Sequence, residues 1–155
     1  MSHFKFRFET LLHLRENALN WQRAEFAKAL EALTILEDTL KKTQEEIAAA
    51  TINGREMMQS GKIDIQYLLG LRRHESYLQG VVGQTKMQIE SVSEEVEKRR
   101  QAVMEANRKK KALEMLKEKQ QSRAAADEQR AEMKQMDETA SIRTARNMME
   151  ALNDA

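Results

Sequence analysis

From Phe8 onward, apolar residues recur along the chain with alternating spacings of four and three. One position of the repeat is held by Leu12, Leu19, Phe26, Leu33, Leu40 and Ile47, every seventh residue. The other is held by Phe8, Arg15, Gln22, Ala29, Leu36, Thr43 and Ala50. Two turns of an α-helix return to nearly the same face, so the spacing predicts a long helix with one apolar stripe, as in a coiled coil. The pattern stops around residues 51–62, where Asn53, Gly54, Ser60 and Gly61 favour a helix end or a turn. Asp64 then offers a side-chain cap for a following helix. A second stripe runs through Leu68, Glu75, Val82, Ile89, Val96, Val103 and Lys110, with a companion through Leu71, Leu78, Thr85, Val92, Arg99, Ala106 and Leu113.

Two striped helices joined by a short connection fold back as an antiparallel pair. The predicted fold is all-α: a long two-helix antiparallel coiled-coil hairpin with a C-terminal helical overhang. The hairpin takes residues 1–116, with its turn about residues 52–64, and the overhang takes 117–155. A turn near residue 59 sets Phe26 against Val92, Ala29 against Ile89, Leu36 against Val82, Leu40 against Leu78 and Ile47 against Leu71. Stripe then meets stripe along an arm ~70 Å long. Past Leu116 the core positions pass to Lys117, Gln120, Ala124 and Asp127, so the tail has no apolar seam and a lone helix there is marginal in water.

Composition agrees with long helices. The chain has 155 residues, no Pro and only five Gly, with 33% charged and 5% aromatic residues, too polar for a compact core. It has no Cys, hence neither disulfides nor thiolate chemistry, which fits a reducing compartment. No continuous apolar stretch opens the chain and none is long enough to span a bilayer, so the expected location is cytoplasmic, with no direct membrane insertion.

Catalytic chemistry is hard to assemble from these residues. Ser60-Gly61-Lys62 is a poor phosphate loop, because Glu56 stands where the upstream glycine is required and Ile63 follows the lysine. His3, His13 and His74 are dispersed, without ligand spacing to acids or cysteines. A two-helix hairpin also offers no cleft for a Ser–His–acid set. The chain is expected to be no enzyme and to need no cofactor or metal.

Charge is uneven. Net charge is +1, yet residues 98–119 hold nine basic residues against three acids, and residues 1–20 hold Lys5, Arg7 and Arg15 against Glu9 and Glu16. In the predicted register these segments meet at the open end of the hairpin, with Leu19 facing Arg99 and Arg15 facing Val103. A basic, polar-cored end suits an acidic partner surface, and a charged face turned to solvent reads equally well. Nucleic acid is not expected, since no aromatic platform or reading motif accompanies the bases. In the second helix Gly70, Gly80 and Gly83 fall off the stripe, as do Tyr77 and Val81 one turn apart. Small residues beside an outward Tyr suit close approach of a partner, against the alternative of isolated surface residues on a flexible helix start. Met133, Met136, Met148 and Met149 in the tail are a weaker sign of an adaptable binding face.

Three stretches stand out: Phe4-Lys5-Phe6-Arg7-Phe8-Glu9-Thr10-Leu11-Leu12-His13-Leu14-Arg15-Glu16, the Tyr77-Leu78 pair, and a C-terminal stretch with Leu113-Glu114, Leu116-Lys117-Glu118-Lys119, Glu132, Lys134, Asp137-Glu138 and Ala140. Together they resemble the FliJ family, small coiled-coil proteins of the bacterial flagellar export apparatus. The resemblance implies a non-enzymatic, stalk-like part of the type III export machine, peripherally associated with the cytoplasmic membrane at the flagellar base. Its implied partners are the hexameric export ATPase, the cytoplasmic domain of the membrane export gate protein, and export chaperones. It assigns Tyr77 and Val81, with Gln84 and Gln88 along the same face, to the gate. It assigns Arg7, Arg15, Arg108, Lys109, Lys110 and Lys111 to the ATPase. The equivalent stalk of a virulence-type secretion system has the same architecture, and a structural coiled coil that self-associates through its heptads is the other alternative.

Overall fold

A computed structural model describes residues 4–153, so His3 lies outside the described residues. The architecture is an all-α helical hairpin of α1 (Glu9–Gln59) and α2 (Ile65–Asn153), with no strand among the described residues. The stripes read from sequence are the buried positions. Leu12, Leu19, Thr43 and Ala50 of α1 and Leu78 and Thr85 of α2 are buried, and the other stripe residues between them are half-buried. Burying each apolar stripe against the other is what stabilises helices this polar.

The expected end of α1 needs correction. The helix runs straight through Asn53 and Gly54 to Gln59. The stripe continues there, because Gly54 and Met57 hold its next two positions and both are half-buried. Packing of that last turn outweighs the ~1 kcal/mol by which glycine disfavours a helix interior. The real stop is Gly61, whose φ of 76° is left-handed and suits a residue without Cβ. Beside it the Ser60 amide donates to Glu56 O at 3.0 Å and the Ser60 hydroxyl to Met57 O at 2.9 Å, which satisfies two terminal carbonyls. Asp64 caps α2 as expected: its Oδ1 accepts from the Tyr67 amide at 3.2 Å and its carbonyl from Leu68 at 3.1 Å.

A later turn moves the register. Leu71, expected against Ile47, instead packs over Gly54, where an added Cβ would lie 3.8 Å from Leu71 Cδ1. Thr51 Oγ1 donates to Glu75 Oε1 at 3.0 Å in the same stretch. The slip at this end of unit 2 is one heptad, and it overturns the expected pairing of Ile47 with Leu71. The physical reason is that the connection is centred on Lys62 rather than Gln59. Leu19 is the most completely buried side chain among the described residues, at 2% exposure.

By compactness the chain divides into two units: unit 1, Met1–Glu16 with Arg108–Ala155, and unit 2, Asn17–Asn107. In unit 1 the segment before α1 does more than lead into the helix. Phe6 is buried and meets the Phe8 ring edge-on, with centroids 5.8 Å apart. Lys117 lies over the Phe6 ring, Nζ 5.9 Å from its centroid, while also reaching the Glu9 carboxylate at 2.8 Å. Lys117 and Gln120 are half-buried, so packing extends past Leu116 without apolar side chains on α2. From Gln121 to Leu152 every residue is exposed.

Candidate docking surfaces

All six basic candidates belong to unit 1, and their environments differ. Arg15 and Lys110 occupy stripe positions and are half-buried. Lys110 is held by Glu114 at 3.0 Å, one helical turn away, and lies 4.0 Å from Glu16 on α1. Arg7 stacks over the Phe8 ring at 5.8 Å. Arg108, Lys109 and Lys111 are exposed on α2. Hence the basic set divides into half-buried Arg15 and Lys110, of which Lys110 reaches α1 through Glu16, and the more exposed Arg7, Arg108, Lys109 and Lys111. His13, between Glu9 at 3.7 Å and Glu16 at 3.3 Å, continues the same polar ladder along α1.

The four candidates on the early part of α2 lie in unit 2. Tyr77 is 69% exposed, and Gln84 and Gln88 are exposed as well. Val81 departs from expectation: it is half-buried beside stripe residue Val82, because a position adjacent to the stripe on a helix still grazes the seam. A Cβ added at Gly70, Gly80 or Gly83 would meet nothing within 4 Å, so no packing in this chain requires glycine there. Met87, unremarked in the sequence reading, is exposed three residues beyond Gln84 and extends the apolar content of this face. Its signal was present in the 3–4 spacing from Tyr77 through Gly80, Gln84 and Met87.

Among the described residues, the shifted acids and bases lie in surface pairs. Arg100 donates two hydrogen bonds to Glu97, at 2.7 and 2.8 Å, and these, joined by one from Gln101, hold the Glu97 carboxyl at about 2, well below its usual 4.5. The Lys28 ammonium lowers Glu25 in the same way, with a smaller contribution from Arg99. Glu97 borders only an open surface groove with Glu90, Ser93, Glu94 and Lys98, not an enclosed site where such a shift would serve catalysis. Among the described residues no cluster of three or more His, Cys, Asp or Glu is placed to hold a metal ion, and no helix is long and apolar enough to cross a membrane.

Two long helices packed along one buried seam, with charged and apolar side chains exposed, define an all-α coiled-coil hairpin protein. The profile of the flagellar FliJ protein family matches residues 4–149, and the chain belongs to that family, a non-enzymatic family tied to flagellar protein export. No curated protein and no solved structure matches it.

Proposed function

We propose that this chain is a stalk-like connector of the flagellar export machine, joining the export ATPase hexamer to the cytoplasmic domain of the membrane export gate protein and serving export chaperones. The observation that carries this reading is the family match over nearly the whole chain, joined to the presence of an unlike surface in each unit. One is the basic set Arg7, Arg15, Arg108, Lys109, Lys110 and Lys111 in unit 1, suited to an acidic wall of the ATPase ring. The other is the Tyr77, Val81, Gln84 and Gln88 face in unit 2, where an exposed aromatic anchor with amide neighbours suits the gate. In this scheme the chain performs no chemistry. It biases ring assembly, couples hydrolysis to the gate, and sits at the cytoplasmic face of the flagellar base.

The test is hydrolysis by the export ATPase of the same bacterium, with and without this protein. Stimulation is expected, and changing Lys109, Lys110 and Lys111 to Glu abolishes it. A Lys110→Gln variant controls for the tie to Glu16 and Glu114. No binding and no stimulation, under conditions where the ATPase forms rings, sinks the ATPase half. Tyr77→Ala with Val81→Ala tests the other half: unchanged binding to the gate's cytoplasmic domain removes it. Sedimentation equilibrium separates both from a scaffold that self-associates through its heptads, which would show a concentration-dependent dimer.

A further inference from the structure

We infer that the turn of the hairpin is a membrane-surface probe that seats its apolar side chains in the headgroup interface of an anionic bilayer. The motivating feature is a group of branched aliphatic residues that unit 2 leaves uncovered. Ile63, Ile65 and Leu69 are all exposed, as are Met58 and Tyr67 around them. Leu68 and Leu71 take the inward stripe positions of α2, so Ile65, Leu69 and Arg72, at spacings of four and three, share an outward face. Exposed isoleucines at a convex turn add nothing to folding, and a polar loop would close the hairpin as well.

The charges around this turn are arranged for a negatively charged surface. Residues 55–75 contain Arg55, Lys62, Arg72 and Arg73 against Glu56, Asp64 and Glu75, the last of which pairs with Arg72 at 3.3 Å. Asp64, the acid between the two isoleucines, is engaged as the cap of α2, accepting the Tyr67 amide at 3.2 Å. There the positive end of the helix offsets its charge. Lys62 is thus the uncompensated charge of the loop itself.

Vertical spacing fits a bilayer interface. Leu69 stands ~6 Å up the helix from Ile65, and Arg72 and Arg73 stand ~10–12 Å up. Interfacial segments bury their apolar face by roughly 5–10 Å, so seating Ile63, Ile65 and Leu69 brings both arginines to the level of the lipid phosphates. Tyr67 lies between these levels, where an amphipathic ring is favoured. A protein groove would be expected to meet a ridge or a helical face, whereas here the apolar residues cap the end of a turn. This inference stands apart from the ATPase and gate assignments, and its test involves neither partner.

The experiment is co-sedimentation of the full chain with vesicles of phosphatidylcholine containing phosphatidylglycerol, and with phosphatidylcholine alone. Binding is expected on the anionic vesicles and is lost at high salt. Ile63→Ser with Ile65→Ser should weaken it roughly tenfold or more, with circular dichroism unchanged because both side chains are exposed. Since the chain has no Cys, Ile63→Cys carries a single polarity-sensitive dye, which should shift to the blue on anionic vesicles. Three outcomes overturn the inference: no anionic binding, binding that survives the double serine variant, or a dye at position 63 that stays in water. The second would assign lipid affinity to the basic stretch of unit 1, and absence of anionic binding would leave the apolar turn to a protein partner.

Discussion

The Lys117 ammonium lies 2.8 Å from one oxygen of Glu9 and 2.9 Å from the other, joining residues 108 positions apart in the chain, while its Nζ also sits 5.9 Å from the centre of the buried Phe6 ring. A residue that breaks the apolar stripe of α2 is therefore a fastening point for the start of α1. Both partners of the ion pair are more than a third exposed, so the pair itself contributes less than about 1 kcal/mol. Its location matters more than its strength, because it closes the end of the α1–α2 contact in unit 1 over a buried aromatic.

Phe6→Ala should accordingly cost far more than loss of the ion pair. Burial of Phe6 at 7% exposure puts its truncation in the range of about 3 kcal/mol, whereas Lys117→Met, which keeps the stem over the ring, should cost under about 1 kcal/mol. Urea unfolding gives the magnitudes. Amide exchange of residues 9–16 shows where the loss falls: selective loss of protection there is expected for Phe6→Ala, and equal effects of the two variants would contradict this ranking.

The register can be read with introduced thiols, since the native chain has none. Gly54→Cys with Leu71→Cys should join within one chain through a short bifunctional reagent, because a Cβ at position 54 would stand 3.8 Å from the Leu71 side chain. Ile47→Cys with Leu71→Cys, the pairing expected from the stripes alone, should give little product. The reverse yields would restore the earlier register.

Two glycines near the turn should respond oppositely to alanine. Gly54 lies inside α1 and an added methyl finds only ordinary contact with Leu71, so Gly54→Ala should stabilise by about 1 kcal/mol through helix propensity. Gly61→Ala must adopt a φ of 76° and should destabilise by about 1 kcal/mol, though nothing lies within 4 Å to clash. Thermal unfolding of the two variants, one midpoint rising and the other falling, separates backbone strain from steric fit.

Glu97 provides a pH prediction with a definite sign. Hydrogen bonds from Arg100 and Gln101 lower its carboxyl from 4.5 to about 2 in the folded chain. Depression in the folded state means the pair stabilises the protein above about pH 4.5, and this contribution is lost as pH falls through about 2. A carboxyl-resolved NMR titration should place Glu97 below the other glutamates, and Arg100→Gln should return it toward the ordinary range. A Glu97 midpoint near 4.5 in the native protein would refute the pairing.

Much of this architecture was legible in the residue order. The heptad stripes are the buried faces of both helices, and Asp64 caps α2, because helical periodicity and capping are properties of a few neighbouring residues. Of the candidate surfaces, exposure of Tyr77, Gln84 and Gln88 followed from their distance from the stripe, whereas Val81 sits close enough to the seam to be half-buried. Nothing local indicated that the Phe6 ring would lie beneath the ammonium of Lys117, on α2.

The sequence by itself determined the helices, the face each buries and the antiparallel pairing, since all three follow from where apolar residues recur. Only the tertiary structure decided which residue meets which. A heptad repeat slid by seven residues falls back on itself, apolar on apolar, so the stripes are blind to such a slip. The choice is made by features that do not repeat: Gly61 turning the chain, Gly54 admitting Leu71, Thr51 meeting Glu75, and, within unit 1, Lys110 and Lys117 reaching Glu16 and Glu9.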